Sequence, residues 1–183
     1  KLEPTYLRYI FDSLQKGSLN ASNASALPQG FIGLFENEFP ANISSFERTS
    51  LLKRLALWAL FKGAVSTHLA SEIIQEDEED TNALINTYSK WFNTPEPGKY
   101  ILYHDRLRTY FLQKLSSHEV QSLNETLISY FEAALEHDIV EEAQEYALEY
   151  LATQRAVESQ LENNYDRLCE LVNQENLWER QVR

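Results

Sequence analysis

A histidine and an aspartate stand together where an apolar segment gives way to an amphipathic helix. The apolar segment covers residues 100–103, and His104 and Asp105 follow it directly. A histidine held at the end of a strand can donate a hydrogen bond to a phosphate group, or carry a positive charge when protonated. The alternative is a half-buried histidine whose ring bonds to a backbone carbonyl group, and the spacing alone favours this second interpretation.

Asp105 stands where the predicted helix begins. An aspartate at such a position accepts hydrogen bonds from the first backbone amides and stabilises the helix by about 1 kcal/mol, so we predict Asp105 as the structural N-cap. Arg106 and Arg108 lie in the first turn, where positive charge opposes the helix dipole. The two arginines mark either a contact with a partner or a solvated face, and we favour the solvated face.

The sequence lacks the motifs of common catalytic and phosphate-binding sites. It contains no P-loop, no dinucleotide-binding glycine fingerprint and no nucleophile elbow. The acidic run at 76–80 lacks the spacing and the glycine of a calcium loop, and favours a solvated helix start. The single cysteine, Cys169, has no metal-ligand partners near it in sequence and is expected to pack in the core on a helix. We therefore expect neither catalysis nor a metal site nor a resident cofactor in this chain.

Composition narrows the class of fold and of partner. The 183 residues are 43% hydrophobic with only 5 glycines and 5 prolines, which favours a mainly helical fold over a turn-rich barrel or sandwich. The net charge of −12 repels phosphate backbones and anionic membranes, so neither nucleic acid nor a membrane is expected as a partner. No apolar run approaches the roughly 20 residues that span a bilayer, and the N-terminus lacks a secretory pattern. We therefore expect a cytoplasmic location.

Three predicted helices and a hairpin occupy residues 44–115. Ser44 and Glu47 have the spacing of a capping box, and they open a helix that is apolar on nearly every face. A short helix and a third helix follow, and the third begins with the acidic run. The turn signal at residues 95–98 then predicts a hairpin. This order is that of a winged helix, although the carboxylates at the start of the third helix argue against DNA binding through it.

Further helices are predicted on both sides of this unit. Within residues 1–43, Pro4 can occupy the first turn of one predicted helix, and a second predicted helix follows Pro28. Within residues 116–183, a second capping box begins at Ser116, and consecutive amphipathic helices are expected to stack as antiparallel pairs, as at the start of a helical-repeat array. The chain contains no methionine, so we expect it to be a piece of a longer protein.

Four short motifs, taken in this order, resemble the part of a STAND-type signalling ATPase of the NACHT and NB-ARC group that follows its P-loop core. Residues 3–10 resemble the proline-led lid helix, and residues 27–31 resemble the helix that closes the lid domain. Residues 103–105 are similar to the apolar-His-Asp motif at the wing. Residues 146–151 and 171–178 look like the helical linker beyond it. The similarity spans almost the full chain.

The resemblance implies a lid segment at residues 1–43, a winged helix at 44–115 and the start of a helical-repeat region at 116–183. In that family the wing histidine contacts the phosphates of bound ADP and the lid proline packs near the nucleotide, roles that would fall on His104 and Pro4. ADP or ATP would be held by an upstream P-loop domain of the parent protein. Bound ADP would favour a closed state over an open, oligomeric one. The implied partners are that upstream domain, other proteins and further copies of the chain.

Two other hypotheses remain open. In the first, the chain is a helical scaffold for protein–protein interaction, its winged helix is purely structural, and the aromatic-rich helices of residues 117–178 form the docking surface. The second is a winged-helix transcription factor, which the negative charge disfavours.

Overall fold

The computed structural model describes residues 43–137, 140–162 and 164–173, together with residues 7, 10, 11, 14, 15, 33 and 36. Of residues 160–162 only the backbone is described. The chain divides into two compact units, Lys1–Arg48 and Thr49–Arg183. The isolated residues described before residue 43 are all helical, whereas Pro4 and Pro28 lie outside the described residues. The boundaries between 43 and 44 and between 115 and 116 stay predictions.

A winged-helix arrangement follows in the order that the sequence predicts. Its helices and strands are α1 (Ser45–Leu60), β1 (Val65–Ser66), α2 (Thr67–Ile74), α3 (Glu78–Thr87), a 3-10 turn at Ser89–Trp91, β2 (Phe92–Glu96) and β3 (Lys99–Leu102). The strands form an antiparallel sheet in the order β1-β3-β2. Gly98 takes a φ of 79° in the turn of the hairpin, a left-handed conformation that favours glycine. The mainly helical class with a hairpin is confirmed, and β1 is an addition to it.

Helices continue the chain beyond the hairpin. They are α4 (Asp105–Gln113), α5 (Ser117–Glu136), α6 (Glu141–Glu162) and α7 (Asp166–Val172). Phe131 of α5 stacks on Tyr146 of α6, while Asn124 bonds to Gln154 further along α6. The later residue of α6 thus contacts the earlier residue of α5, so the two helices are antiparallel. This confirms the predicted pairing.

Both predicted capping boxes form. The amide of Ser44 donates to Glu47 Oε2 at 2.8 Å, and the amide of Glu47 donates to Ser44 Oγ at 3.2 Å. The amide of Ser116 donates to Glu119 Oε2 at 3.0 Å, and the amide of Glu119 donates to Ser116 Oγ at 3.3 Å. These reciprocal bonds satisfy backbone donors that the first turns of α1 and α5 would otherwise leave unpaired.

A chain of aromatic rings joins the winged helix to the α5–α6 pair. The ring of Trp58 on α1 meets those of Phe61 and Phe92 edge-on, with centroids 5.5 and 5.2 Å apart. Phe61 meets Tyr146 of α6 edge-on, and Tyr146 stacks on Phe131 at 4.3 Å. All five residues are buried. Burial of each such ring contributes about 1.5–3 kcal/mol, so the two parts share one core within the unit Thr49–Arg183.

A carboxylate at the start of α6 ties that helix to β1. Glu142 Oε1 accepts the amide of Ser66 at 2.8 Å, and Glu142 Oε2 accepts the Ser66 hydroxyl at 2.6 Å. Ser66 Oγ in turn accepts the amide of Leu69 at 3.0 Å, which makes Ser66 the N-cap of α2. One glutamate therefore sets the position of a strand and of the helix that follows it.

We expect Glu142→Ala to lower the free energy of unfolding by about 1–3 kcal/mol, because it leaves the partly buried amide of Ser66 without its acceptor. Glu141→Ala is the matched control, since Glu141 is an exposed glutamate in the same first turn of α6. It should change stability by no more than about 0.5 kcal/mol. Urea unfolding of both variants measures the difference, and equal losses would show that the Ser66 contact does not stabilise the fold.

Candidate functional site

His104 forms the N-cap of α4. Its backbone is extended, with φ −146° and ψ 135°, and its Nδ1 accepts the amide of Arg106 at 3.1 Å. Asp105 is already the first helical residue, and its side chain is fully exposed, with Oδ1 3.8 Å from Arg108 Nε. The prediction of Asp105 as N-cap is therefore wrong by one position. The physical reason is that the imidazole reaches the amide two residues ahead, as a capping oxygen usually does.

This cap determines where the proton of a neutral His104 ring lies. A nitrogen that accepts a hydrogen bond carries no hydrogen, so the neutral imidazole is protonated at Nε2. The ring is partly exposed and lies edge-on to Tyr103, with centroids 5.6 Å apart. In the neutral ring, Nε2–H is therefore the hydrogen-bond donor and Nδ1 is the acceptor that caps the helix.

Pro4, the second residue predicted to contact nucleotide, lies outside the described residues. Its role stays a prediction.

Arg108 is turned inward, so the interpretation of this arginine as part of a solvated face is wrong. Its side chain is 17% exposed. Arg108 Nη1 donates to the backbone oxygen of Ala59 at 3.1 Å and also to that of Phe61. These carbonyl groups at the end of α1 lack the intrahelical partners of its interior, and the negative end of the α1 dipole favours a cation there.

Two residues of α6 bind the other backbone groups at the end of α1. Gln154 Nε2 donates to the backbone oxygen of Leu60 at 3.1 Å and to Asn124 Oδ1 at 3.1 Å. The Tyr146 hydroxyl accepts the amide of Lys62 at 2.7 Å. We call the set of contacts made at residues 59–62 by Arg108, Gln154 and Tyr146 the α1 junction. Sequence reasoning missed Gln154, because a glutamine within an amphipathic helix looks like any solvated polar residue.

The electrostatics of the α1 junction are set by two cations. Burial lowers the pKa of Arg108, and the nearby Asp105 carboxylate opposes that change. Burial also lowers the pKa of Lys62, and the positive charge of Arg108 lowers it further. For Arg108, the carbonyl groups that it binds at the end of α1 offset part of this cost.

An ion-pair cluster with a buried arginine lies further along α6. Arg155 Nη2 lies 2.6 Å from Glu132 Oε1, and Arg155 Nη1 lies 2.5 Å from Glu158 Oε2. Arg155 and Glu158 are 6% and 4% exposed. The cluster joins α5 to α6, and no pattern in the sequence distinguishes these charges from exposed ones.

The acidic run divides into two parts. Residues 77–80 are exposed, as predicted for a solvated helix start, and Asp77 caps α3 by accepting the amide of Glu79 at 3.1 Å. Glu76 is instead partly buried, with Oε2 2.7 Å from Arg54 Nε on α1. Burial raises the pKa of Glu76, and the charge of Arg54 opposes that rise. Among the described residues, no group of three or more His, Cys, Asp or Glu side chains is arranged to hold a metal ion.

The prediction that Cys169 packs in the core is wrong. Cys169 is exposed on α7 and does not pack in the core. Leu171 is the buried residue of this helix, while Tyr165 and Val172 are exposed.

Within the described part of the chain, none of the helices combines the length and the apolar character needed to cross a bilayer.

No protein family, curated protein or solved structure matches this chain.

We expect His104→Ala to destabilise the chain by about 1 kcal/mol, because it removes the N-cap acceptor of α4. His104→Ser restores an oxygen acceptor and should recover most of that loss. Asp105→Ala should cost about 0.5 kcal/mol or less, since it removes an exposed carboxylate that interacts only with the helix dipole and, at 3.8 Å, with Arg108. Thermal unfolding of the three variants tests the assignment. A larger loss of stability in Asp105→Ala than in His104→Ala would show that Asp105 is the N-cap of α4.

Proposed function

We propose that this chain is the regulatory part of a STAND-type signalling ATPase. Its winged helix senses ADP or ATP bound to an upstream P-loop domain of the parent protein. It thereby controls the equilibrium between a closed state and an open, oligomeric state. The nucleotide belongs to the parent protein and not to this chain alone. The observation that carries the proposal is His104, which follows β3 at the hairpin and has its Nδ1 occupied by the amide of Arg106, so that its proton lies on Nε2.

A donor fixed in this way suits the recognition of a phosphate. Hydrogen bonds to charged acceptors contribute about 1.5–3 kcal/mol, and they are strongest when the donor is already oriented. Bound ADP would place a phosphate oxygen against His104 and favour the closed state. Exchange for ATP would release the winged helix. A differential affinity of a few kcal/mol is enough to move most molecules between two such states.

The shared core supports the transmission of this change. Trp58, Phe61, Tyr146 and Phe131 form a continuous set of ring contacts from α1 to α5 and α6. A displacement of the winged helix would therefore carry the α5–α6 pair with it. On this proposal the partners are the upstream domain and, in the open state, other proteins or further copies of the chain.

Nucleic acid is not a partner in this proposal. The net charge is −12, and exposed carboxylates at 77–80 lie at the start of α3, which a DNA-binding winged helix would insert into the groove. We place the protein in the cytoplasm, which agrees with a sequence whose single cysteine cannot form a disulfide within the chain.

The competing hypothesis is a helical scaffold for protein–protein interaction with a purely structural winged helix. The N-cap bond of His104 favours it, because capping α4 is by itself a sufficient reason for a residue with a side-chain acceptor at this position. The two hypotheses differ in what happens to bound nucleotide when the ring is removed and the cap is kept.

The test is the amount of ADP that co-purifies with the full-length protein, measured by chromatography for the natural sequence and for His104→Ser. The serine keeps a capping oxygen and removes the Nε2–H donor. We expect about tenfold less retained ADP, because coupling of this kind is commonly 5–150-fold.

His118→Ser is the matched control, since His118 is an exposed histidine in the first turn of α5. It should retain ADP at the natural level. Equal ADP in His104→Ser and the natural protein, with both folded, would reject the nucleotide switch and support the scaffold.

A further inference from the structure

Arg108 would be unfavourable on α4 without the contacts that it makes to α1. It lies four residues after His104 on α4, a spacing that places two residues on one helix face. Its positive charge is in the first half of α4, where the dipole of that helix opposes it, and its side chain is mostly buried. Both terms disfavour an arginine, and an apolar side chain of similar length would fill the same space.

The contacts of Arg108 supply the compensating interaction. Its Nη1 donates to the backbone oxygens of Ala59 and Phe61, two groups at the end of α1. Apolar packing of Leu107 and Phe111, both fully buried, holds α4 on the core but is not directional. The guanidinium bonds are directional, so they fix the first turn of α4 relative to α1.

We propose that Arg108 is a positioning residue for His104. By tying the first turn of α4 to the end of α1, it holds the imidazole where a phosphate of bound nucleotide meets Nε2. The inference rests on the proposed function, because it assigns Arg108 a role in the same nucleotide contact. Arg108 itself touches no nucleotide in this account and acts only through His104.

Gln154 supplies a matched comparison at the same helix end. Its Nε2 donates to the backbone oxygen of Leu60, between the two carbonyl groups that Arg108 binds, but Gln154 belongs to α6 and not to the helix of His104. Loss of either donor weakens the α1 junction. Only loss of Arg108 releases the first turn of α4.

The experiment measures ADP retained by the full-length protein for Arg108→Met, Gln154→Leu, His104→Ser and the double variant Arg108→Met with His104→Ser. Thermal unfolding is measured for each. We expect about tenfold less ADP in Arg108→Met and natural retention in Gln154→Leu. The double variant should lose no more ADP than His104→Ser alone, because both changes remove the same contact.

Three results would overturn the inference while leaving the proposed function intact: natural retention in Arg108→Met, equal loss in Arg108→Met and Gln154→Leu, or additive loss in the double variant. Natural retention in His104→Ser would instead reject the proposed function, and this inference with it. If Arg108→Met fails to fold, the same measurement is made on Arg108→Lys. Lysine keeps a charged donor but lacks the rigid guanidinium fork, so we expect an intermediate loss of ADP. Retention of ADP at the natural level in Arg108→Lys would overturn the inference.

Discussion

The rest of the structure depends on how the buried end of α1 satisfies its backbone groups. Residues 55–61 are all buried, so water cannot serve the carbonyl groups at the end of the helix. Arg108 of α4 and Gln154 of α6 donate to these groups, and Tyr146 of α6 accepts the amide that follows. This requirement brings together, at one point, the helix that follows the hairpin and the second helix of the α5–α6 pair. The aromatic contacts then fill the space around that point.

Some of the acidic side chains accept hydrogen bonds or form ion pairs within the fold. Glu142 accepts two bonds from Ser66, and Glu132 and Glu158 hold the buried Arg155 between them. Glu142 joins α6 to β1 and Glu132 joins α5 to α6, whereas Glu158 binds Arg155 within α6. The negative charge therefore contributes to the fold, and the formal charge of −12 is not only a property of the surface.

Local signals predicted the features that local interactions determine. The capping box at Ser44 and the hairpin turn at residues 95–98 are short-range patterns, and both are present. The two-residue strand β1 is too short to produce a periodic signal, and it exists because β3 supplies its partner. The N-cap is misplaced by one residue because His104 and Asp105 both carry suitable acceptors. The inward direction of Arg108 depends on a helix end 47 residues earlier in the chain, which no local pattern shows.

The most direct measurement is an experimental structure of the full-length protein with ADP bound. The account predicts a phosphate oxygen of ADP within about 3 Å of His104 Nε2, while Nδ1 still accepts the amide of Arg106. An ordered ADP whose phosphates lie beyond hydrogen-bond reach of His104 would contradict it, and would leave His104 with its role as the N-cap of α4.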